Sequence, residues 1–498
     1  MAFITNNGYL DNPTFRGMRE SLIEDFDEIY LLDLHGSSRK KETAPDGSKD
    51  ENVFNIQTGV SICFLIRNEN SNAKLKRNAK VCKFDLYGKK EEKYDWLDSN
   101  SICNTKFKEI KIIGPHYSYL KQNNTVFREY EKGFSINAIF PLNSNGIETA
   151  RDSLCIQFSS EVMWNTIKLF SLLDESEARE KFELSKDGRD WKISWAQKDI
   201  VKQSTSKKNI KPILYRPFDI RHTYFTGTDR GFLKCPRTNV MSHMLSVKDN
   251  IALTIGRAGI AVDVKNWNLI SCTDKIVDKN FFRRGGSQVL PLYLTNGKLN
   301  LSSQIQELLC RMYNQPIESL ARPFLNYIYA ILHTHTFRSR YREFLNQDFP
   351  KVQITPDKKL FFQLAKLGQE LIDLHLLKID GLEEGKTQFK DEGLLKNTSK
   401  IVSKVNYDSK SQKVFINENH CFSNVDEETF QFQIGGYQVL HKWLKDRKGR
   451  ELTSEDISHY LKVVESLKRT QKLMLKIDDV ILKAGGWPLV REELKKAA

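Results

Sequence analysis

The sequence predicts an α/β segment at its start, followed by a mixed α+β region that becomes mainly helical toward the C-terminus. Three observations predict this. Ala2–Thr5, Glu28–Leu34 and Val60–Ile66 are apolar strand patterns, and Phe15–Phe26 between the first two is an amphipathic helix with Met18, Leu22 and Phe26 on one face. Short strand patterns and turn residues then alternate up to about residue 300. From Leu301 onward, apolar residues recur three and four apart, the period of helices with one buried face. Strand, helix, strand, loop, strand is the second half of a Rossmann-like sheet, with no pattern for the first half before it.

Ala2–Thr5 follows Met1 directly and predicts a buried strand at the very start. Asn6–Asp11 is a loop. Asp11 or Asn12 caps the first helix, and Pro13 stands in its first turn, where a missing N–H costs nothing. Arg39–Asp50 is a charged loop and Lys74–Lys93 a basic stretch, with a domain boundary expected near residue 97. Phe107–Asp152 is strand-rich. Ser160–Phe182 is helical, with Val162, Ile167, Phe170 and Leu173 inward and a solvated acidic end at Asp174–Glu180. Ile251–Ile255, Ala261–Val264 and Val289–Leu294 are strands, with Arg257, Lys265, Arg283 and Arg284 on the turns between them.

Leu320–Phe344 and Leu360–Leu377 carry leucine and isoleucine at helical spacing. His333, His335 and His375 fall among them and are read as packing or solvated groups, because no carboxylates stand with them as metal partners. Lys400–Phe422 returns to strand and turn. Thr453 begins a long last helix, with Asp456 placed for a capping box.

A net charge of +14 favours a polyanion as partner over an acidic small molecule. The eight cysteines are scattered without a CxxC pair, which argues against a disulfide framework or a zinc site and fits a reducing cytoplasm. No apolar run is long enough to span a membrane, and the N-terminus lacks the pattern of a signal peptide. The densest functional signal is Tyr215–Leu245, where Arg216, Arg221, Arg230, Lys234 and Arg237 alternate with Tyr215, Phe218, Tyr224, Phe225 and Phe232. Glycines 227 and 231 allow tight turns, and Pro217 and Pro236 prevent one long helix. Arginine presents a planar fork of donors that fits phosphate oxygens and the guanine edge, so this stretch, with Arg257, Arg283 and Arg284, is the candidate DNA-contacting set. The bland alternative is a solvated loop with packed aromatics, in which Arg221 pairs with Asp219 or Asp229.

Several catalytic signatures are missing. No glycine-rich turn follows a first strand, as a nucleotide or methyl-donor loop would require. Gly381–Thr387 is one residue short of a phosphate loop and carries two glutamates where phosphate would sit, so it reads as a solvated turn. Asp11–Phe15 lacks the second proline of the Asn-Pro-Pro-Tyr motif that binds a target amine. Glu91-Glu92-Lys93 has no Pro-Asp pair at a distance that would make a nuclease site.

Ordered strings across nearly the whole chain give a family resemblance: AFITNNGYLDNPTFRGMR (2–19), LDLHGSSRKKE (32–42), DENVFNIQTGVSI (50–62), GIETARD (146–152), YRPFDIRHTYFTG (215–227), YIYAILH (327–333), YREFLNQDFP (341–350) and IGGYQVLHKWLKDRKGR (434–450). The chain resembles the C-terminal part of an adenine-specific DNA methyltransferase of the Type ISP restriction–modification family. The resemblance implies that residues 1–97 are the later strands of the methyltransferase core and that 98–498 are the target-recognition, or specificity, domain.

The expected function is sequence-specific recognition of double-stranded DNA in service of adenine methylation. The resemblance also implies that Phe54, in the string Asn52-Val53-Phe54-Asn55, is one of the aromatics that stack on the flipped adenine. Its alternative is a phenylalanine anchoring the loop to the core. S-adenosylmethionine would be the donor of the complete enzyme and is not expected to bind this chain alone. The first half of the core would come from a second polypeptide or from a segment outside this sequence. A stand-alone DNA-binding module and an inactive remnant of a disrupted gene are the competing readings.

Overall fold

In the computed structural model, the described residues are 1–40, 42–68, 78–114, 117–120, 124–257, 267–283, 286–393 and 399–490. The chain forms two compact units, Met1–Phe127 and Arg128–Ala498.

The first unit is built on a five-stranded sheet of β1 (Ala2–Asn6), β2 (Glu28–His35), β3 (Val60–Ile66), β4 (Lys80–Asp85) and β5 (Lys108–Ile110), in the order β1-β3-β2-β4-β5. β2 and β4 are parallel, whereas β3 is antiparallel to both β1 and β2 and sits between them. Helix α1 (Arg16–Asp25) connects β1 to β2, and α2 (Lys90–Ser99) follows β4. Alternation along the strands divides the apolar side chains between two faces. Ile29, Leu31, Cys63, Leu65 and Val81 pack with Tyr9, Ile23 and Tyr119 on one face. Leu32, Leu34 and Val60 pack with Val53, Leu86, Phe84 and Trp96 on the other.

Three expectations are corrected in this unit. β1 is an edge strand and mostly exposed, not buried, because only β3 pairs with it. α1 turns Met18 outward and buries Arg19 with Ile23. The Arg19 guanidinium donates to the carbonyls of Tyr9 (2.7 Å), Asn12 (2.9 Å) and Tyr117 (2.9 Å), so a residue that reads as polar surface ties down the turn before the helix. The unit also continues past residue 97, since β5 adds to β4 and Tyr119 fills the core beside Tyr9. Residues 74–77 of the basic stretch lie outside the described residues.

The second unit combines small sheets with long helices. Ile210–Arg216 and Asp219–Tyr224 form an antiparallel hairpin, joined in parallel by Ile276–Val277. Ile270–Thr273, Ala252–Ile255, Gln288–Pro291 and Ser144–Asn145 form a four-stranded sheet. A second four-stranded sheet gathers Gln388–Asp391, His420–Ser423, Lys413–Phe415 and Asn406–Asp408. The helices Ile317–His333, Lys358–His375 and Ser454–Lys483 form the helical part. The first two approach so closely that a Cβ on Gly368 would stand 1.9 Å from the carbonyl oxygen of Asn326. Thr453 and Asp456 make the expected capping box of the last helix.

The helix expected over Ser160–Phe182 is two, Ser160–Leu172 and Glu175–Lys181, because Asp174 caps the second in a box with Glu177. Met163 takes the inward place expected of Val162, which is exposed. The helix expected over Leu320–Phe344 stops at His333, and Thr334 caps a new one with its side chain. His333 is buried and His375 half-buried among the helices, where His375 hydrogen-bonds Tyr329 and Thr470. Burial pushes the His375 pKa down to about 3, so the ring is neutral. The strand expected at Ala261–Val264, with Lys265 and Arg284, lies outside the described residues.

Candidate nucleic-acid interface

In the first unit, the register places the ends of β1 and β2 beside the start of β3, with both Asn6 and His35 opposite Val60. The loop before β3 therefore lies at the carboxyl end of the parallel strands, where open α/β sheets bind their ligands. Phe54 stands on this loop and is 43% exposed, so its ring is free to meet a ligand instead of anchoring the core. The loop under it is fixed. Asn52 accepts the amide of Phe54 at 2.8 Å and donates to the carbonyls of Gly36 (3.1 Å) and Thr58 (2.7 Å).

Beneath Asn52 lies a fully buried ion pair, Lys93 Nζ to Asp50 Oδ1 at 2.7 Å. Lys93 also donates to the carbonyls of Leu34 and Glu51, and Asp50 accepts the amides of Gly36 and Gly88. Gly36, at φ +81°, passes so close to Asn52 that a Cβ would lie 2.5 Å from its Cα. Asn7 closes the same end, donating to Asp33 at 3.0 Å. Sequence reasoning singled out Phe54 but not the Asp50, Asn52 and Lys93 that fix the loop under it. An Asn two residues before Phe54, positioned for a side-chain turn, was the available signal.

Beside this loop, Asp33, His35 and Asp85 are the one group among the described residues with ligand atoms close enough, within 4.8 Å, to hold a metal ion. Their donors are already engaged. Lys83 is 3.1 Å from Asp33 and also pairs with Asp85, while His35 bridges Glu42 and Asp85, each at 2.9 Å. Burial disfavours the charged imidazole, but the Asp85 and Glu42 carboxylates outweigh it and hold His35 at about 9. His35 and Lys83 in turn overcome the burial of Asp85 and bring its pKa to about 2. The cluster is a salt-bridge network that fixes the ends of β2 and β4.

In the second unit, the arginine–aromatic stretch is largely interior, which corrects three of the surface expectations. Tyr224 is fully buried, and its hydroxyl accepts from Ser206 N and Asn209 Nδ2. Arg216 is buried, with its guanidinium 2.6 Å from Asp278. Burial opposes its charge, and Asp278 more than offsets that, so its pKa lies above the ordinary arginine value. Arg221 is buried too and pairs with Asp219 through Nε at 2.9 Å and Nη2 at 2.8 Å. Asp219 also receives Arg447 at 3.1 Å. Burying a charge requires a partner, and each of these carboxylates supplies one.

The aromatics join the same network. The Arg216 guanidinium lies 3.7 Å from the Tyr215 ring centre and 5.7 Å from that of Tyr437, and Arg221 lies 4.4 Å from Tyr215 and 4.2 Å from Phe158.

The other candidates face outward to different degrees. Arg230 is exposed, at φ +56°, with only a 3.4 Å approach to Asp190. Lys234 is half-buried and paired with Glu148 at 2.6 Å. Arg237 and Arg257 are half-buried, and the Nε of each lacks a hydrogen-bond partner among the described residues. Arg283 is exposed on a turn at φ +83°, with Nη1 3.5 Å from the Gly436 carbonyl. Phe54, Arg230, Arg237, Arg257 and Arg283 thus keep accessible surface, and Arg216, Arg221 and Tyr224 do not.

The fold and these sites define a two-unit α/β protein with a ligand-accessible strand end in one unit and a charge-rich, ion-paired hairpin in the other. The Type ISP C-terminal specificity domain matches residues 138–476, more than half of the chain, and the chain belongs to that family. Its fold is similar to three solved structures. A nuclease-deletion mutant of the Type ISP restriction-modification enzyme LlaGI, in complex with a DNA substrate mimic, aligns at 19% identity and TM-score 0.63 over 95% of this chain and 39% of its own. DrdV in a DNA complex aligns at 21% and 0.64, over 97% of this chain and 50% of its own. The ATP-dependent Type ISP enzyme LlaBIII bound to DNA aligns at 21% and 0.64, over 96% and 32%. The chain therefore spans from about a third to a half of the length of these structures. No curated protein matches it.

Proposed function

We propose that this chain is the DNA-reading part of an adenine-specific restriction–modification methyltransferase. The second unit reads duplex sequence, and the first supplies the later strands of the methyltransferase sheet, with Phe54 as one wall of the pocket for the flipped adenine. The match to the specificity-domain family over 138–476 carries this reading. A net charge of +14 and a rigid loop that presents an exposed Phe54 at the strand ends support it. The cytoplasm, where DNA is accessible, is the compartment it implies. Selection from a random duplex library by the whole chain tests it directly: one enriched motif is expected, and recovery of unselected sequence at every salt concentration would overturn it.

The methyl donor S-adenosylmethionine belongs to the complete enzyme in this reading, because the chain has no glycine loop for it. Calorimetry is expected to give no saturable binding of the donor to the chain at micromolar concentration. Saturable heat would contradict this division of labour.

A further inference from the structure

We infer that Arg450 is a pre-positioned contact for a phosphate of the DNA backbone, held in place by Phe158. The inference rests on the DNA-reading function proposed above and assigns it a residue outside the Tyr215–Leu245 stretch. The contacts from Tyr437 through Arg216, Tyr215 and Arg221 to Phe158 end on Arg450, whose guanidinium lies 3.8 Å from the Phe158 ring centre. The arginines within this chain are buried and neutralised by Asp278 and Asp219, and Arg447, which also faces Phe158 at 5.2 Å, pairs with Asp219 and Asp456.

Arg450 differs from them. It is exposed, and no carboxylate among the described residues pairs with it. The exposed Lys445 and Lys448 on the same turn also have no carboxylate partner among the described residues. A free arginine side chain loses rotamer entropy when it is fixed, and stacking on Phe158 removes part of that loss before any ligand arrives. The planar fork that results, with two exposed lysines two and five residues before it in the sequence, suits a phosphodiester: arginine supplies paired donors and the lysines supply point charge. A phosphate contact is preferred to a base contact because these lysines carry charge without a donor pattern that discriminates bases.

The test uses the full chain, its selected duplex and a scrambled duplex across a salt series. Arg450→Ala is expected to weaken binding to both duplexes roughly tenfold and to lower the salt slope by about one. Arg450→Lys keeps the charge and loses the stack, so affinity should fall with the slope retained. Phe158→Leu leaves net charge unchanged and should weaken binding severalfold at an unchanged slope, the signature of a positioning residue. Lys483→Ala, which removes an exposed lysine paired with Asp479, is the control for simple loss of charge. Arg450→Ala should melt with the wild type, so the inference stands on it even if Phe158→Leu does not fold. Unchanged affinity and slope in Arg450→Ala would overturn the inference and leave the proposed function intact, as would a loss on the selected duplex alone, which would mark a base contact. Failure of the wild type to bind either duplex would overturn both.

Discussion

His35 shows how a single residue couples charge to the geometry of the first unit. Its ring is protonated in the fold because the carboxylates of Glu42 and Asp85 flank it. A histidine held up at about 9 favours the folded state fully below its unfolded pKa of about 6.5 and loses that contribution as pH rises through 9. The linkage amounts to on the order of 3 kcal/mol. Urea unfolding of the first unit should therefore show wild type well above His35→Gln at pH 6 and the two converging by pH 10; a constant gap would mean that His35 acts by packing alone. Lys93 offers a second test at this scale. Removing one partner of a fully buried pair leaves an uncompensated charge at a cost of roughly 3–5 kcal/mol. Lys93→Met should destabilise the unit by that order and quench the hydrogen-exchange protection of the Gly36 and Gly88 amides, which both donate to Asp50.

At the scale of the element, the hairpin Ile210–Arg216 and Asp219–Tyr224 separates structural from accessible arginines. Arg221→Ala removes one of the two guanidinium partners of Asp219, leaving Arg447 on it, and should lower the melting temperature by several degrees, with a cost of roughly 1–3 kcal/mol. Arg230→Ala should leave it unchanged, since that side chain is exposed. Equal melting temperatures for the two variants would mean that the hairpin does not depend on its ion pairs.

The hairpin also shows what the sequence made legible. Pro217, Pro236 and the two glycines excluded one long helix and pointed to turns without placing the two strands, and the pairing of Arg221 with nearby Asp219 was a stated alternative. The sequence could not reveal that Asp278, 62 residues on from Arg216, and Arg447, 228 residues on from Asp219, complete the network and draw it inward. Arginine and aromatic residues in alternation look alike whether they face DNA or stack inside, and only the carboxylates brought in by the fold decide. Similarly, the apolar start at Ala2–Thr5 looked like a core strand, and its exposure follows from pairing on one side only.

At the scale of the whole molecule, the family match, the charge and the exposed arginines support the proposed recognition of duplex DNA. The ion pairs around Asp219, Asp278, Asp50 and Asp33 hold lysine and arginine against carboxylates, so they reduce the number of cations open to a partner while leaving the net charge of +14 as it is. Even so, a contact surface built from lysine and arginine releases counterions on binding, and affinity must then fall linearly with salt on logarithmic axes. The most direct measurement is the affinity of the intact chain for its selected duplex from about 50 to 200 mM salt, the range over which a protein with several phosphate contacts loses orders of magnitude. The account predicts a steep negative slope with a preference for the selected sequence retained at every salt concentration. A flat dependence, or binding too weak to measure at low salt, would contradict it.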